Sequence, residues 1–451
     1  MKPLCFLVTM ILAVSTTAGP PAEPIDLFEA IRTALSENPH LHEAQARIDQ
    51  AEAYLLEAQS RFQPTASLNG EALVADAPSS YLFKRIDQRR LRPNTDFNDP
   101  GRINNSELGV EITQNLYNGG RDARNLQVGE MNVDIAENQE LSVENQLIHS
   151  VIEAYYDVLA AQELIRTAQQ SMETVEAELR DTQVRFDGGS ALRSDVLSLE
   201  VRLAQAREEL IRSENQRDLF LVVLANLMGL EEWKGLALSG EEWRPRPIPE
   251  TVEEAVPAAF ESRPELAAAR KMIERGQIEV KQAKSEYYPR VDTFARLYAD
   301  DNQFGYRVDD ANWVAGVALR WELYSGAKRK AHRRLAEAAL KEMEAADRQA
   351  ALQVRLDVNR AYLNLKAANA RQEVAQTSVQ QAEESLRLVQ RQYEGGSATV
   401  TRYLDVEHDV TAARSREITA RYDLKKAHAD VGRSLGWCSL CARDALGGSD
   451  K

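Results

Sequence analysis

The sequence lacks the long apolar helix of a helical membrane protein and the excess of basic residues of a nucleic-acid-binding protein. Beyond its N-terminal segment, no apolar run approaches the ~18 to 20 residues that a transmembrane helix requires. If the chain crosses a membrane, it must therefore do so with strands closed into a β-barrel. The formal net charge is −15, whereas binding to nucleic acid needs clustered Lys and Arg for phosphate contacts. Nucleic acid is therefore excluded as a partner.

Residue patterns for catalysis and metal binding are also missing. None of the six histidines is spaced with cysteines or carboxylates as in a metal site: His40, His42, His149, His332, His408 and His428. No catalytic Ser or Cys motif and no phosphate-binding glycine loop is present. We therefore expect no metal, no cofactor and no enzymatic chemistry.

Cysteine is scarce, and two of the three cysteines stand together near the end of the chain. Cys438 and Cys441 form a C-x-x-C pair, which in an oxidising compartment most simply closes a local disulfide. The alternative, a thioredoxin-like redox site, needs a βαβ setting that the surrounding sequence does not provide.

The first 18 residues are typical of a secretory signal peptide. Lys2 supplies positive charge, residues 4–14 form an apolar run, and the small residues 16–18 suit a cleavage site. The mature chain is expected to start near Gly19. Cys5 leaves with the signal, so we expect no lipid anchor.

The rest of the chain carries the same unit twice, which is a signal to be sought before any other. Two pairs of segments are offset by 207 positions and two upstream pairs by 225. The four pairs are 116–120 with 323–327, 188–191 with 395–398, 38–41 with 263–266, and 62–64 with 287–289. The helices therefore keep their lengths, while one loop of the first unit is 18 residues longer.

These offsets divide the chain into four parts after the signal peptide. The first repeat covers residues 19–229, a compact connector covers 230–262, the second repeat covers 263–436, and a C-terminal tail covers 437–451. The longer loop falls between residues 75 and 103, a stretch rich in charge, Pro and Asn.

Two proline-free stretches predict helices far longer than those of globular proteins, which have roughly 8 to 20 residues. Residues 121–186 contain no Pro and a single Gly, and residues 328–393 contain neither. At 1.5 Å per residue, each helix spans about 100 Å. Shorter helices are predicted at 39–62, 191–228, 264–287 and 398–435.

The first long helix carries two neighbouring apolar seams. One seam consists of Ile148, Ile152, Tyr155 and Leu159, and the other of Leu147, Val151, Ala154 and Val158. A helix with two adjacent seams has two lateral neighbours, as in the wall of a helical barrel. An ordinary antiparallel bundle is the alternative that the seams alone leave open.

Four segments change to the period-2 alternation of strands, at about 65–75, 104–117, 290–299 and 311–324. Trp313 and Trp321 are eight residues apart on one face of the last strand, or ~26 Å. This matches the ~25 Å apolar band of an outer-membrane barrel with its aromatic girdles. Four strands are fewer than the smallest such barrels contain. Either several copies complete a barrel, or the strands form a soluble sheet.

With these features the chain resembles the TolC-like outer-membrane efflux protein family over essentially its full mature length. The resemblance rests on the repeat, the Asn38-Pro39 and Arg263-Pro264 helix starts, the Leu-Tyr-Asn-Gly and Leu-Tyr-Ser-Gly strand exits, and the two Gly-Gly-Ser turns. It implies a mainly α fold with a small β part, in which a homotrimer closes a 12-stranded barrel in the outer membrane of a Gram-negative bacterium. A periplasmic α-helical barrel continues this β-barrel.

The resemblance also implies a function and partners. Members are passive exit ducts of tripartite efflux pumps or type I secretion systems. They work with a periplasmic adaptor (membrane fusion) protein and an inner-membrane transporter of the RND or ABC type, and they contact outer-membrane lipid. The competing hypothesis is a soluble periplasmic helical scaffold or tether, which leaves the tryptophan-bounded strands without a role.

Site positions follow from the same resemblance. The adaptor-docking tips are expected at Gly188, Gly189, Ser190, Gly395, Gly396 and Ser397, and the periplasmic gate at Asp405, Asp195, Arg402 and Tyr393. Three Asp405 carboxylates around one axis would repel each other. The chain departs from the family pattern at Ala398, where some members carry a basic residue, and at Arg402, where an acidic one can stand. We therefore expect Arg402 to pair with Asp195 or Asp405.

Overall fold

The computed structural model describes residues 24–240 and 247–438. Its helices are α1 Leu27–Glu37, α2 Pro39–Ser60, α3 Pro78–Asp87, α4 Arg121–Asp187, α5 Arg193–Leu227, α6 Val252–Ser262, α7 Pro264–Ser285, α8 Lys328–Glu394 and α9 Val400–Ser434. Its strands are β1 Thr65–Ala75, β2 Ile103–Tyr117, β3 Arg290–Asp301 and β4 Asn312–Arg320. The expected signal peptide, part of the connector and most of the C-terminal tail lie outside the described residues.

The chain forms two compact units that do not follow the sequence repeats. One unit combines the residues up to Pro39 with 144–252 and the residues from Asn359 on, and the other combines 40–143 with 253–358. Each unit therefore takes corresponding parts from both repeats. The repeat is a unit of sequence, whereas the packing unit needs both copies.

The two long helices have equal lengths. Both α4 and α8 contain 67 residues, and both α5 and α9 contain 35. The single glycine of α4, Gly129, lies where a Cβ atom would come within 3.1 Å of Leu55, so it serves close helix packing. In the described part of the chain, no helix combines the length and the apolar character needed to cross a bilayer.

Both apolar seams of α4 are buried, as their two-sided pattern predicts. All eight side chains are at most 8% exposed: Leu147, Ile148, Val151, Ile152, Ala154, Tyr155, Val158 and Leu159. Burial on two sides of one helix means that α4 packs against elements on both flanks.

Two tyrosines at equivalent repeat positions fasten the connector. The hydroxyl oxygen of Tyr155 lies 2.5 Å from the carbonyl oxygen of Ser239 and 3.1 Å from that of Ile25. The Tyr362 hydroxyl, 207 positions later, donates to the carbonyl of Pro249 at 2.8 Å. The repeated Ala-Tyr pair at 154–155 and 361–362 is the sequence signal for this role, and sequence reasoning missed it.

Three helices were not expected from the sequence. α1 is amphipathic and is capped by Asp26, whose Oδ1 accepts from the Glu29 amide at 2.6 Å. α6 lies within the segment predicted as a connector. α3 lies within the segment predicted as a long loop, where Pro78 occupies the first turn of the helix. All three have only ten or eleven residues, and an isolated helix of this length is marginal, so a local pattern alone does not predict it.

The four strands form one antiparallel sheet in the order β1-β2-β3-β4. β4 ends at Arg320 rather than at residue 324, so the predicted strand was too long at this end, and Trp321 lies outside it. The last pair of β3 with β4 joins Arg290 to Arg320. Pro289 precedes β3 and has no amide hydrogen, so it cannot extend the ladder.

Candidate functional site

The sheet exposes its apolar face, and it buries polar side chains on the other face at the hairpin end of β2 and β3. Along β2, Leu108, Val110 and Ile112 are exposed, whereas Asn105 and Glu107 are buried. A half-buried sheet of a soluble protein has the opposite arrangement, with apolar residues inside and polar residues outside. The exposed face therefore suits contact with an apolar medium.

The register joins these residues into a band across all four strands. Leu68 pairs with Val110, Val110 with Leu297, and Leu297 with Trp313. Their exposed fractions are 71%, 45%, 56% and 77% in that order. A contiguous apolar band of this kind marks a site of interaction with lipid or protein.

The two predicted girdle residues differ in their settings. Trp313 lies within β4 and ends the band described above. Trp321 follows the strand, and its indole N–H donates to the carbonyl of Tyr287 at 3.2 Å. Both rings are exposed, as an aromatic side chain at an interface requires.

The polar face carries buried ion pairs near the hairpin end of the sheet. Lys84 of α3 lies 2.6 Å from Glu107 Oε2 and 3.0 Å from Asp300 Oδ1. Arg296 also pairs with Glu107. Charges that are removed from water in this way need such partners.

Each outer strand has one side without a partner strand in the described chain. β1 pairs with β2 alone, and β4 pairs with β3 alone. Unpaired backbone N–H and C=O groups on an edge are a ready template for a strand of another chain.

The turns between the long and the shorter helices have the same construction. Gly189 and Gly396 have φ values of 78° and 75°, which L side chains rarely adopt. The Ser190 amide donates to Arg185 O at 2.8 Å, and the Ser397 amide donates to Gln392 O at 2.8 Å. The two predicted tips are thus equivalent, exposed helix reversals.

Next to the tips, four helices share one apolar cluster. Its buried members are Val175, Leu199, Leu203, Val389, Val400, Tyr403, Leu404 and Val406, from α4, α5, α8 and α9. The ring of Tyr393 packs against this cluster and stacks on Tyr403, with centroids 5.2 Å apart. The helices that meet at the tip are therefore joined by apolar contact.

A polar contact, the tyrosine tie, links α8 to α4 at this level. It consists of Tyr393, Glu178 and Arg185: the tyrosine hydroxyl lies 2.8 Å from Glu178 Oε1 and 3.5 Å from Arg185 Nη1. Burial and the acceptor Glu178 raise the pKa of Tyr393. The hydroxyl therefore remains a donor at neutral pH.

The predicted gate residues are not joined within one chain. Asp195 accepts from the Leu192 amide at 3.3 Å and so caps α5. Arg402 and Asp405 are exposed, and in residues 24–240 and 247–438 no ion pair joins Arg402 to Asp195 or Asp405. Sequence reasoning placed Tyr393 among the gate residues but missed its partners Glu178 and Arg185. Their spacing of seven residues, which puts both on one face of α4, was the available signal.

A histidine is buried in α4 beside acidic and basic side chains. His149 Nε2 lies 3.4 Å from Glu153 Oε2 and 3.9 Å from Asp430 Oδ1. Burial, and then the nearby Arg433, lower the pKa of His149 to about 4, although Asp430 acts in the opposite direction. This imidazole is therefore neutral at pH 7.

The described residues offer no metal site and leave the predicted disulfide as a prediction. Within the described ranges, no group of three or more His, Cys, Asp or Glu is placed to hold a metal ion. Cys438 is buried, and Cys441 lies outside the described residues.

Comparison with known proteins assigns the chain to a family. Residues 30–230 and 255–437 match the profile described as outer membrane efflux protein. The chain belongs to the outer membrane efflux protein family. It is 26% identical to the protein CyaE of Bordetella pertussis, over 94% of this chain and 88% of that protein. It is 23% identical to the pyoverdine export outer membrane protein OpmQ of Pseudomonas aeruginosa, over 91% of this chain and 85% of that protein.

A solved structure shows the same fold. The outer membrane protein VceC of Vibrio cholerae aligns with this efflux protein at a TM-score of 0.77 and 18% identity, over 91% of this chain and 96% of that chain. The resemblance inferred from the residues is thus confirmed. This efflux protein is an outer-membrane channel of a Gram-negative bacterium, and the family consists of channels rather than enzymes. The hypothesis of a soluble periplasmic scaffold is set aside.

Proposed function

We propose that three copies of this chain form one passive duct through which substrates leave the cell. The observation that supports this most strongly is the inverted polarity of the sheet. Its apolar band suits lipid, and its polar face suits an aqueous interior. Joining β1 of one copy to β4 of the next removes every free edge and gives a closed barrel of twelve strands.

Apolar stripes on two helices support assembly from identical copies. On α5, Leu197, Val201, Ile211, Leu219 and Val222 are exposed, and on α8, Leu352, Leu356, Leu363, Val374 and Leu388 are exposed. In each helix the opposite face is buried: Val196 and Leu199 in α5, Val354 and Val358 in α8. A helix that is apolar on two faces requires a second neighbour.

The stripes lie at matching distances from the tip. Ile211 follows the start of α5 by 18 residues, and Val374 precedes the end of α8 by 20, so both lie about 30 Å from their turns. We assign α5 of one copy and α8 of the next to a common interface, which closes the ring of helices.

The tip is the proposed gate, and the tyrosine tie holds it shut. The tie fixes α8 to α4, so breaking it frees α8 and α9 to move outward. Three Asp405 side chains facing the axis would repel one another and favour an open mouth or a bound cation. Arg402 has no ion-pair partner among the described residues of its own chain, so its proposed partner is a carboxylate of a neighbouring copy.

The two Gly-Gly-Ser tips are the proposed docking points for a periplasmic adaptor. An inner-membrane transporter of the RND or ABC type then supplies the energy, because this chain offers passage alone. One relative carries pyoverdine export in its name. We assign cargo choice to the adaptor and transporter, and the duct serves either a tripartite pump or a type I secretion system.

Reconstitution tests the proposal. The protein is extracted from outer membranes with detergent, its trimer is checked on a gel without heating, and its conductance is measured in a planar lipid bilayer. A detergent-requiring trimer that forms discrete conducting channels supports the duct. A water-soluble monomer without conductance rejects it.

A further inference from the structure

The extra residues of the first repeat build a helix over one end of the sheet. The connection from β1 to β2 contains α3, whereas β3 and β4 are joined by the ten residues 302–311. Both connections leave the sheet at the end opposite to the helices that precede β1 and follow β2. α3 is therefore an addition to one hairpin only.

Polar contacts hold α3 against the polar face of the sheet. In addition to the pairs of Lys84 with Glu107 and Asp300, Asn312 Nδ2 donates to the Asp87 carbonyl at 3.0 Å. Gln88, which follows the helix, donates to Asn105 Oδ1 at 2.7 Å. The Asp300 side chain is 0% exposed, so α3 covers this face closely.

The opposite side of α3 is apolar and exposed. Phe83 and Ile86 are 68% and 50% exposed, and their spacing of three places them on one face of the helix. Exposed aromatic and β-branched side chains on a loop facing water are unfavourable unless another surface covers them.

We propose that the Phe83 and Ile86 faces of three α3 helices cover one another around the threefold axis and form an apolar constriction at the outer opening. This rests on the proposed trimer, in which the apolar band faces lipid. α3 lies on the other face of the sheet and therefore inside the barrel. The exposed apolar face of each α3 is thus covered by the α3 helices of the second and third copies.

Such a constriction restricts large polar solutes. A helix with its side chains is about 10–12 Å across, so three of them fill much of the opening. Apolar constrictions also resist wetting, which blocks ions until the walls separate. The outer opening thus excludes bulky polar compounds from outside, while cargo driven from inside pushes the three helices apart.

The experiment measures the outer opening from its own side. Every trimer in the experiment carries Tyr393→Phe, so that the periplasmic gate does not limit the conductance. The test variant carries, in addition, the double substitution Phe83→Ser and Ile86→Ser. Poly(ethylene glycol) of graded size is applied to the outer side in a planar bilayer, and the largest size that still lowers the conductance is recorded. Both residues are exposed in the single chain, so folding should persist, and an unheated gel verifies the trimer.

We expect the double variant to raise the conductance at least twofold and to admit larger polymers than Tyr393→Phe alone. Phe97→Ser is the matched control, because Phe97 is a 58% exposed aromatic residue of the same connection that lies outside α3. An intact trimer with an unchanged polymer limit, or an equal change from Phe97→Ser, overturns the constriction. A chain that forms no channel at all instead rejects the duct itself.

Discussion

Removal of one hydroxyl group per chain should open the tip. Tyr393→Phe deletes the donor of the 2.8 Å bond to Glu178 and keeps the ring, so the stacking on Tyr403 remains. A hydrogen bond to a charged group contributes about 1.5–3 kcal/mol. Because this one is only half-buried, we take the lower limit or less, about 1–1.5 kcal/mol per chain.

The effect multiplies if the three tips open together. Three bonds then contribute about 3–4.5 kcal/mol, which changes the ratio of open to closed channels by roughly 10² to 10³. A natural channel that is almost always closed should therefore, as the Tyr393→Phe variant, be open for a readily measured fraction of the time. Single-channel recording of the reconstituted trimer gives the open fraction directly.

Two further variants identify the bond as the cause. Glu178→Gln keeps an acceptor but removes its charge, so the open fraction should rise less than with Tyr393→Phe. Tyr403→Phe removes the hydroxyl of the stacked ring, for which the described residues include no hydrogen-bond partner, and should leave gating unchanged. If the Tyr393→Phe channel has the same open fraction as the natural channel, the tyrosine tie does not hold the tip closed.

The other predictions concern assembly, pH and the sheet. Leu363 is 67% exposed in one chain, and its burial between copies stabilises the trimer by about 1–2 kcal/mol per chain. Leu363→Asp should therefore abolish the trimer on unheated gels, whereas the adjacent Asn364→Asp should not. Equal trimer yields from the two variants would contradict the interface. The pKa of His149 is about 4 in the folded protein against 6.5 in the unfolded chain. The unfolded chain therefore binds a proton first as the pH falls, and about 3 kcal/mol of stability is lost between pH 6.5 and 4. Thermal melting in detergent should show a smaller fall over this range for His149→Gln, and parallel curves would refute the assignment. Leu297→Arg places a charge in the apolar band at a cost of about 2–4 kcal/mol and should lower the amount of channel in outer membranes. Ser67→Arg, which lies opposite Glu111 on the polar face, should be tolerated. Equal losses from the two variants would show that the band does not face lipid.

The sequence by itself determined the repeat, the long helices and the positions of the strands. These features depend on local sequence patterns and not on contacts between distant parts of the chain. A stretch of 67 residues without proline, such as α8, has no signal that ends a helix. Alternation in the segment of Leu108, Val110 and Ile112 predicts a strand, because side chains of a strand alternate between its faces.

The tertiary structure decided which side chains meet. Tyr393 and Asp195 were both predicted at the gate, but Asp195 caps α5, and the carboxylate that contacts the tyrosine is Glu178 of α4. Contacts between residues 215 positions apart depend on how two helices are rotated against each other. No local pattern contains that rotation.

The same reason applies to α3 and to the sheet. A helix of ten residues is marginal alone, and α3 is held by the pairs of Lys84 with Glu107 and Asp300, which exist only once β2 and β3 lie side by side. The apolar band likewise needs the register that brings Leu68, Val110, Leu297 and Trp313 into one row. Local sequence therefore determines the elements, and the pairing between distant elements determines the surface that meets the membrane and the contacts that close the tip.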